Sequence, residues 1–145
     1  MTQFTPNLKI PYPEESDPPR GWEQMQAIAT KVDSGAMTWT DIPYKSGFTT
    51  YNSKIRVGTF GGLVFLRGTV KRTDSGIMNG NINFGTVPTA YWPAQLCFAW
   101  AAADWDNGNR NGIRLDINPD GGLTALVGTN SAWLSLDGVH YPLGA

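Results

Sequence analysis

The stretch "SKIRVGTFGGLVFLRGTV", residues 53–70, constrains the fold more than any other part of the chain. Ile55, Val57 and Thr59 alternate with polar or small residues, and Val64, Leu66 and Val70 carry the same two-residue period onward. That period sends successive side chains to opposite faces of an extended ribbon, so it specifies a strand with one buried face. Between the two runs stand Gly61 and Gly62, which reach the positive φ angles of a tight hairpin turn without a Cβ penalty. The segment predicts two antiparallel strands, with Val70 on the return strand.

From Met37 onward the same grammar repeats. "INFGTVP" reads as a short strand ending at Pro88, and Leu96 to Ala102 as a strongly apolar one. "IRLDI", "LTALV" and "AWLSL" supply three more. "RTDSGIMNGN", "DWDNGNRNG", "NPDGG" and "GTNS" read as the loops and turns between them, because Gly, Asn, Asp and Pro each stabilise a reversal. Short strands separated by regular turn signals describe an antiparallel β-sandwich, jelly-roll-like in arrangement. The fold class expected is mainly β.

The first 35 residues are different. Pro6, Pro11, Pro13, Pro18 and Pro19 fix their own φ and push their predecessors toward extended geometry, so residues 1–20 read as an extended Pro-rich arm. One short N-terminal helix is expected over 21–35. Ser16 or Asp17 can cap it, and Gly35 ends it. Trp22, Met25, Ala29 and Val32 are spaced 3, 4, 3, with Ile28 widening the stripe. A helix of this length is marginal alone. It leans on copies of itself, making these five residues an oligomerisation seam, or it packs on its own sheet. Residues 36–145 form the sandwich domain.

Composition removes several classes of function. Charged residues are 16% of the 145, and the net charge is −1, so the basic footprint of a nucleic-acid binder is missing. No stretch approaches the ~20 apolar residues of a membrane span. The single cysteine, Cys97, sits in "QLCFAWAAA" and reads as a small buried hydrophobe. The absence of a disulfide framework and of a signal-peptide pattern leads to the expectation of assembly in a reducing cytoplasm.

Candidates for chemistry are few. His140 is the only histidine and has no nucleophile in a recognisable motif nearby. Asp116 and Asp120 could be pictured as paired glycosidase carboxylates, but Asp120 belongs to a turn and Asp116 alternates outward. No enzyme activity, cofactor or metal is expected. "ADWDNGNRNG" has the D-x-D-x-G spacing that begins a calcium loop, but it lacks the glutamate at position 12. It has a second property. Trp105 offers a flat ring beside Asp104, Asp106, Asn107, Asn109 and Arg110, and a sugar needs a ring for its C–H face and oxygen or nitrogen groups for its hydroxyls. These six are the candidate saccharide-binding residues. Trp39, Trp100 and Trp133 read as core or subunit-interface residues.

An ordered series of stretches carries a resemblance: Trp39, "KSGFTTY", "VGTFGGLVFLRGTV", "FGTVPTAYWPAQ", "IRLDINPDGGLTAL" and "AWLSLDGVHYP", preceded by "IPYPEESDPPRGWEQMQAIATKVD". From about Leu8 to the end the chain resembles bacteriophage minor tail, tail fibre or receptor-binding proteins with a C-terminal β-sandwich head, mainly from phages of actinobacteria. Val87-Pro88 and Trp92-Pro93 stand where relatives typically carry Leu-Pro and Arg-Pro. The resemblance implies a homotrimeric virion protein that recognises a host cell-surface saccharide and meets other virion proteins through residues 1–20. A protein decorating the capsid or tail tube is the alternative, and a polysaccharide-degrading enzyme a more distant one.

Overall fold

The computed structural model describes residues 3–4, 11–12, 23, 26–27, 37–104 and 110–144, and divides the chain into two units, Met1–Met37 and Thr38–Ala145. In the first unit, strand β1 (Gln3–Phe4) pairs antiparallel with β2 (Pro11–Tyr12), Gln3 opposite Tyr12. Glu23, Gln26 and Ala27 are helical. The expected oligomerisation residues Trp22, Met25, Ile28, Ala29 and Val32 lie outside the described residues.

The second unit is an antiparallel β-sandwich, as its alternation predicts. Its four-stranded sheet contains β3 (Thr40–Asp41), β5 (Arg56–Phe60), β6 (Leu63–Arg67) and β13 (His140–Pro142), in the order β13-β6-β5-β3. The seven-stranded sheet contains β4 (Phe48–Thr50), β7 (Thr69–Arg72), β8 (Met78–Thr86), β9 (Cys97–Asp104), β10 (Arg110–Ile117), β11 (Gly122–Ser131) and β12 (Trp133–Ser135), in the order β4-β7-β12-β9-β10-β11-β8. One sheet contributes Val57, Val64, Leu66 and Tyr141 to the core, and the other Phe84, Ile113, Leu115, Ile117, Leu123, Val127 and Leu134.

The glycine hairpin is where it was expected: Phe60 pairs with Leu63, and Gly61 and Gly62 have φ of +60° and +82°. Its return strand, however, is two strands. At Gly68, with φ +101°, the chain leaves the four-stranded sheet and enters the seven-stranded one. A Cβ there would collide with the Lys54 carbonyl, so this crossing admits only glycine. The Gly68 amide donates to Asp137 Oδ1 at 2.8 Å, and its carbonyl accepts from the Leu136 amide at 2.8 Å. Tyr44 ties the same region together. Its hydroxyl donates to the Thr69 carbonyl at 3.0 Å and accepts from the Ile55 amide at 3.1 Å.

Three stretches read as loops are partly strand. Met78–Asn81 belongs to β8, Arg110–Gly112 to β10, and Gly128–Ser131 to β11. Their Asn and Gly content argues locally for turns, but ladder pairing overrides it. The β8–β11 pair takes up the irregularity as register shifts between Leu123 and Thr124 and between Val127 and Ser131.

Candidate functional site

The hairpin between β9 and β10 carries the candidate saccharide residues. Asp104 ends β9 and is directly opposite both Arg110 of β10 and Trp133 of β12. Its carbonyl accepts from the Ala132 amide at 2.9 Å, and its Oδ1 is shut off from water with no hydrogen-bond partner among the described residues. Trp105, Asp106, Asn107 and Asn109 lie outside the described residues; Arg110 is placed by its backbone alone. The structure fixes the base of this loop: Asp104 and Arg110 form the last pair of the ladder. Beside it Trp133 stacks on Tyr51, with centroids 5.3 Å apart and planes 9° from parallel.

The other candidates for chemistry are placed as structural groups. Asp116 points outward and accepts from Arg114 Nε at 2.8 Å and Nη2 at 3.0 Å. Asp120 Oδ1 accepts from the Gly122 amide at 3.0 Å, closing the turn in which Gly121 has φ +79°. Trp92, in the proline corner, donates from its indole nitrogen to the Val87 carbonyl at 2.8 Å, and a Cβ on Gly121 would collide with its ring. His140 is exposed, with Nδ1 3.1 Å from the Gly138 carbonyl and its ring tilted against Phe65. Among the described residues no three His, Cys, Asp or Glu side chains converge to hold a metal.

Cys97 is half-buried rather than buried. Its thiol donates to the Gln95 carbonyl at 3.4 Å, and desolvation raises its pKa. Tyr141, on the edge strand β13 of the small sheet, is buried and donates to the Tyr91 carbonyl at 2.7 Å; burial, with smaller contributions from Cys97 and Tyr91, pushes its pKa well up.

The aromatic residues of β9 need a correction. Along Cys97–Asp104 the alanines Ala101 and Ala103 enter the core, while Phe98 and Trp100 face solvent, 63% and 75% exposed. Trp100 is therefore not a core residue of this chain, and Trp39 and Trp133 are only half-buried. The reason lies in the neighbouring strand. β10 alternates without ambiguity, Ile113, Leu115 and Ile117 inward and Arg114 and Asp116 between them. Register places Arg114 opposite Trp100 and Asp116 opposite Phe98, and paired residues share a face. The Arg114 guanidinium carbon is 4.7 Å from the Phe98 ring centroid.

The row begun by Phe98 and Asp116 continues across the sheet. Asp116 pairs with Thr124 of β11, and Thr124 with Asn83 of β8. Asn83 Oδ1 is buried without a hydrogen-bond partner among the described residues. The outer face of the large sheet thus carries two aromatic rings with the Arg114–Asp116 pair beside them, and farther along the row Thr124, whose Oγ1 accepts from Asn118 Nδ2 at 3.3 Å. The alternation of large and small residues in "CFAWAAAD" is the signal that could have found it; a uniformly apolar run conceals which phase faces water.

No family model matches the chain, and no curated protein sequence does either. Solved structures do. The fold is similar to the receptor binding protein (gp15) of Listeria phage PSA, with 21% identity and a TM-score of 0.57, over 90% of this chain and 83% of that one. It is also similar to the head domain of lactococcal phage bIL170, with 18% identity and a TM-score of 0.51, over 74% of this chain and 98% of that domain. The fold is that of phage receptor-binding head domains.

Proposed function

We propose that this chain is a phage virion protein of the tail that recognises the host cell surface. The observation that supports the reading best is the shared fold: it extends over 90% of this chain to a phage receptor binding protein. Asp116 accepts from Arg114, and Asp120 accepts from the Gly122 amide in its turn.

On this reading the ligand is a surface saccharide, and the loop 104–110 contacts it through Trp105, Asp104, Asp106, Asn107, Asn109 and Arg110. The chain acts as a homotrimer held in part by Trp22, Met25, Ile28, Ala29 and Val32, and residues 1–20 meet other virion proteins. Three copies on one particle raise a weak sugar affinity through effective concentration.

The test is direct. Labelled protein is incubated with a panel of bacterial strains, actinobacterial ones included. Saturable binding to at least one strain is expected, with a loss of tenfold or more for Trp105→Ala and unchanged stability. Binding to no strain, together with binding to isolated capsids or tail tubes, would contradict host recognition. Light scattering should give three chain masses for the full chain and a lower mass for one starting at Ser34.

A further inference from the structure

We infer that the outer face of the seven-stranded sheet, around Trp100, Phe98 and the Arg114–Asp116 pair, binds a saccharide chain. The inference rests on the proposed role in host recognition and adds to it a second contact surface, on the sheet rather than on the loop.

Three observations carry it. First, Trp100 and Phe98 are 75% and 63% exposed on a stretch of β9 that pairs with β10 on one side, β12 meeting β9 only at Ala102, Ala103 and Asp104. A large exposed ring on a strand is apolar area left for a partner. A Cβ on Gly112 would reach only ordinary contact with the Trp100 ring, 3.7 Å from Cε3 and with nothing else within 4 Å, so glycine leaves one flank of the indole open.

Second, the polar groups beside the rings are already aimed. Arg114 spends Nε and Nη2 on Asp116, whose side chain is 14% exposed, and Nη1 has no acceptor among the described residues. A guanidinium held this way offers donors to a sugar hydroxyl at little further entropic cost.

Third, the array has extent. Phe98, Asp116, Thr124 and Asn83 lie on four successive strands, and at roughly 4.8 Å between neighbours the row is about 14 Å long. Trp100 and Arg114 begin a parallel row two residues away, about 7 Å along the strands. That area suits several linked sugars better than one. The rings, with Arg114 Nη1 beside them, match a molecule with C–H faces and a hydroxyl rim; farther along the row Thr124 Oγ1 already accepts from Asn118 and Asn83 Oδ1 is buried. A second copy of the chain would favour a centre depleted of charge, whereas Arg114 and Asp116 sit directly beside the rings.

The experiment uses the full chain and, as probe, polysaccharide released from the walls of a strain that the wild-type protein binds. Binding to cells and to the polysaccharide, together with solution mass, is measured for the wild type, Trp100→Ala and Trp100→Phe. A loss of tenfold or more for Trp100→Ala, substantial recovery in Trp100→Phe and an unchanged mass are expected. If Trp100→Ala binds like the wild type, the sheet-face site is wrong while host recognition stands. If its mass falls, the face belongs to a second copy of the chain, which also overturns the inference. If the wild type binds no strain, the host-recognition reading fails, and this one with it. An Arg114→Ala protein gives an independent arm, with a smaller loss expected and no loss contradicting the site.

Discussion

Strands β6 and β9 are both apolar and both alternate, yet they use water in opposite ways. β6 buries its aliphatic Val64 and Leu66 and sends Leu63, Phe65 and Arg67 outward. β9 buries alanines and sends outward its two largest side chains. In β6 the residue identities and the register agree, so the inward face could be read from the strand alone. In β9 the register decides. With Asp104 opposite Arg110, Trp100 must lie opposite Arg114, on the face that β10 gives to solvent. The lesson concerns function: where both phases of a strand are apolar, its neighbours choose the buried one, and a ring left outside is available to a partner.

The comparison can be broken most severely on its inner face. Leu115→Ala, on β10 beside Ala99, removes a fully buried side chain and should lower unfolding stability by about 2–5 kcal/mol in urea titration. A loss below ~1 kcal/mol would mean that the core beneath β9 is loosely packed. Ala103→Leu tests the alanines themselves. With Leu134 opposite and both buried, overpacking should cost about 1–3 kcal/mol. A neutral result would show spare room under β9 and remove the reason for its small residues.

On the β6 side the matching probe is Tyr141, which pairs with Val64. Burial holds its folded-state pKa above the ordinary tyrosine value, so above about pH 10 the unfolded chain releases a proton that the folded chain keeps. Stability should therefore be fully present below that pH and fall as pH rises through the alkaline range. Tyr141→Phe should cost about 0.5–1.5 kcal/mol at neutral pH, through the lost bond to Tyr91, and flatten the alkaline slope. An unchanged slope would place the alkaline sensitivity elsewhere. The smallest effect is expected on the outer face, where Trp100→Ala should stay within about ±0.5 kcal/mol of the wild type.

Much of this was legible in the sequence. Alternation announced the sandwich, Gly61-Gly62 its hairpin, and "NPDGG" a turn closed by Asp120. Other features depend on long-range pairing and were not. The division of one apparent return strand at Gly68 reflects a crossing between sheets that glycine permits but does not signal. The strand ends at Met78–Asn81, Arg110–Gly112 and Gly128–Ser131 are polar and glycine-rich, and only their neighbours' ladders hold them extended. The candidate loop was found by composition, which marks Trp105 and its oxygen-bearing neighbours. The sheet face was missed because Trp100 reads as a core or subunit-interface residue and the apolar strand around it does not show which phase faces water.

The measurement that bears most directly on the account is saturable binding of the labelled full chain to cells of a susceptible strain, wild type beside Trp100→Ala, with urea unfolding of the same preparations. The account predicts that the wild type binds, that Trp100→Ala loses tenfold or more, and that the two unfold alike. Equal binding, or a loss matched by lost stability, would contradict the claim that the outward rings of β9 serve a partner rather than the fold.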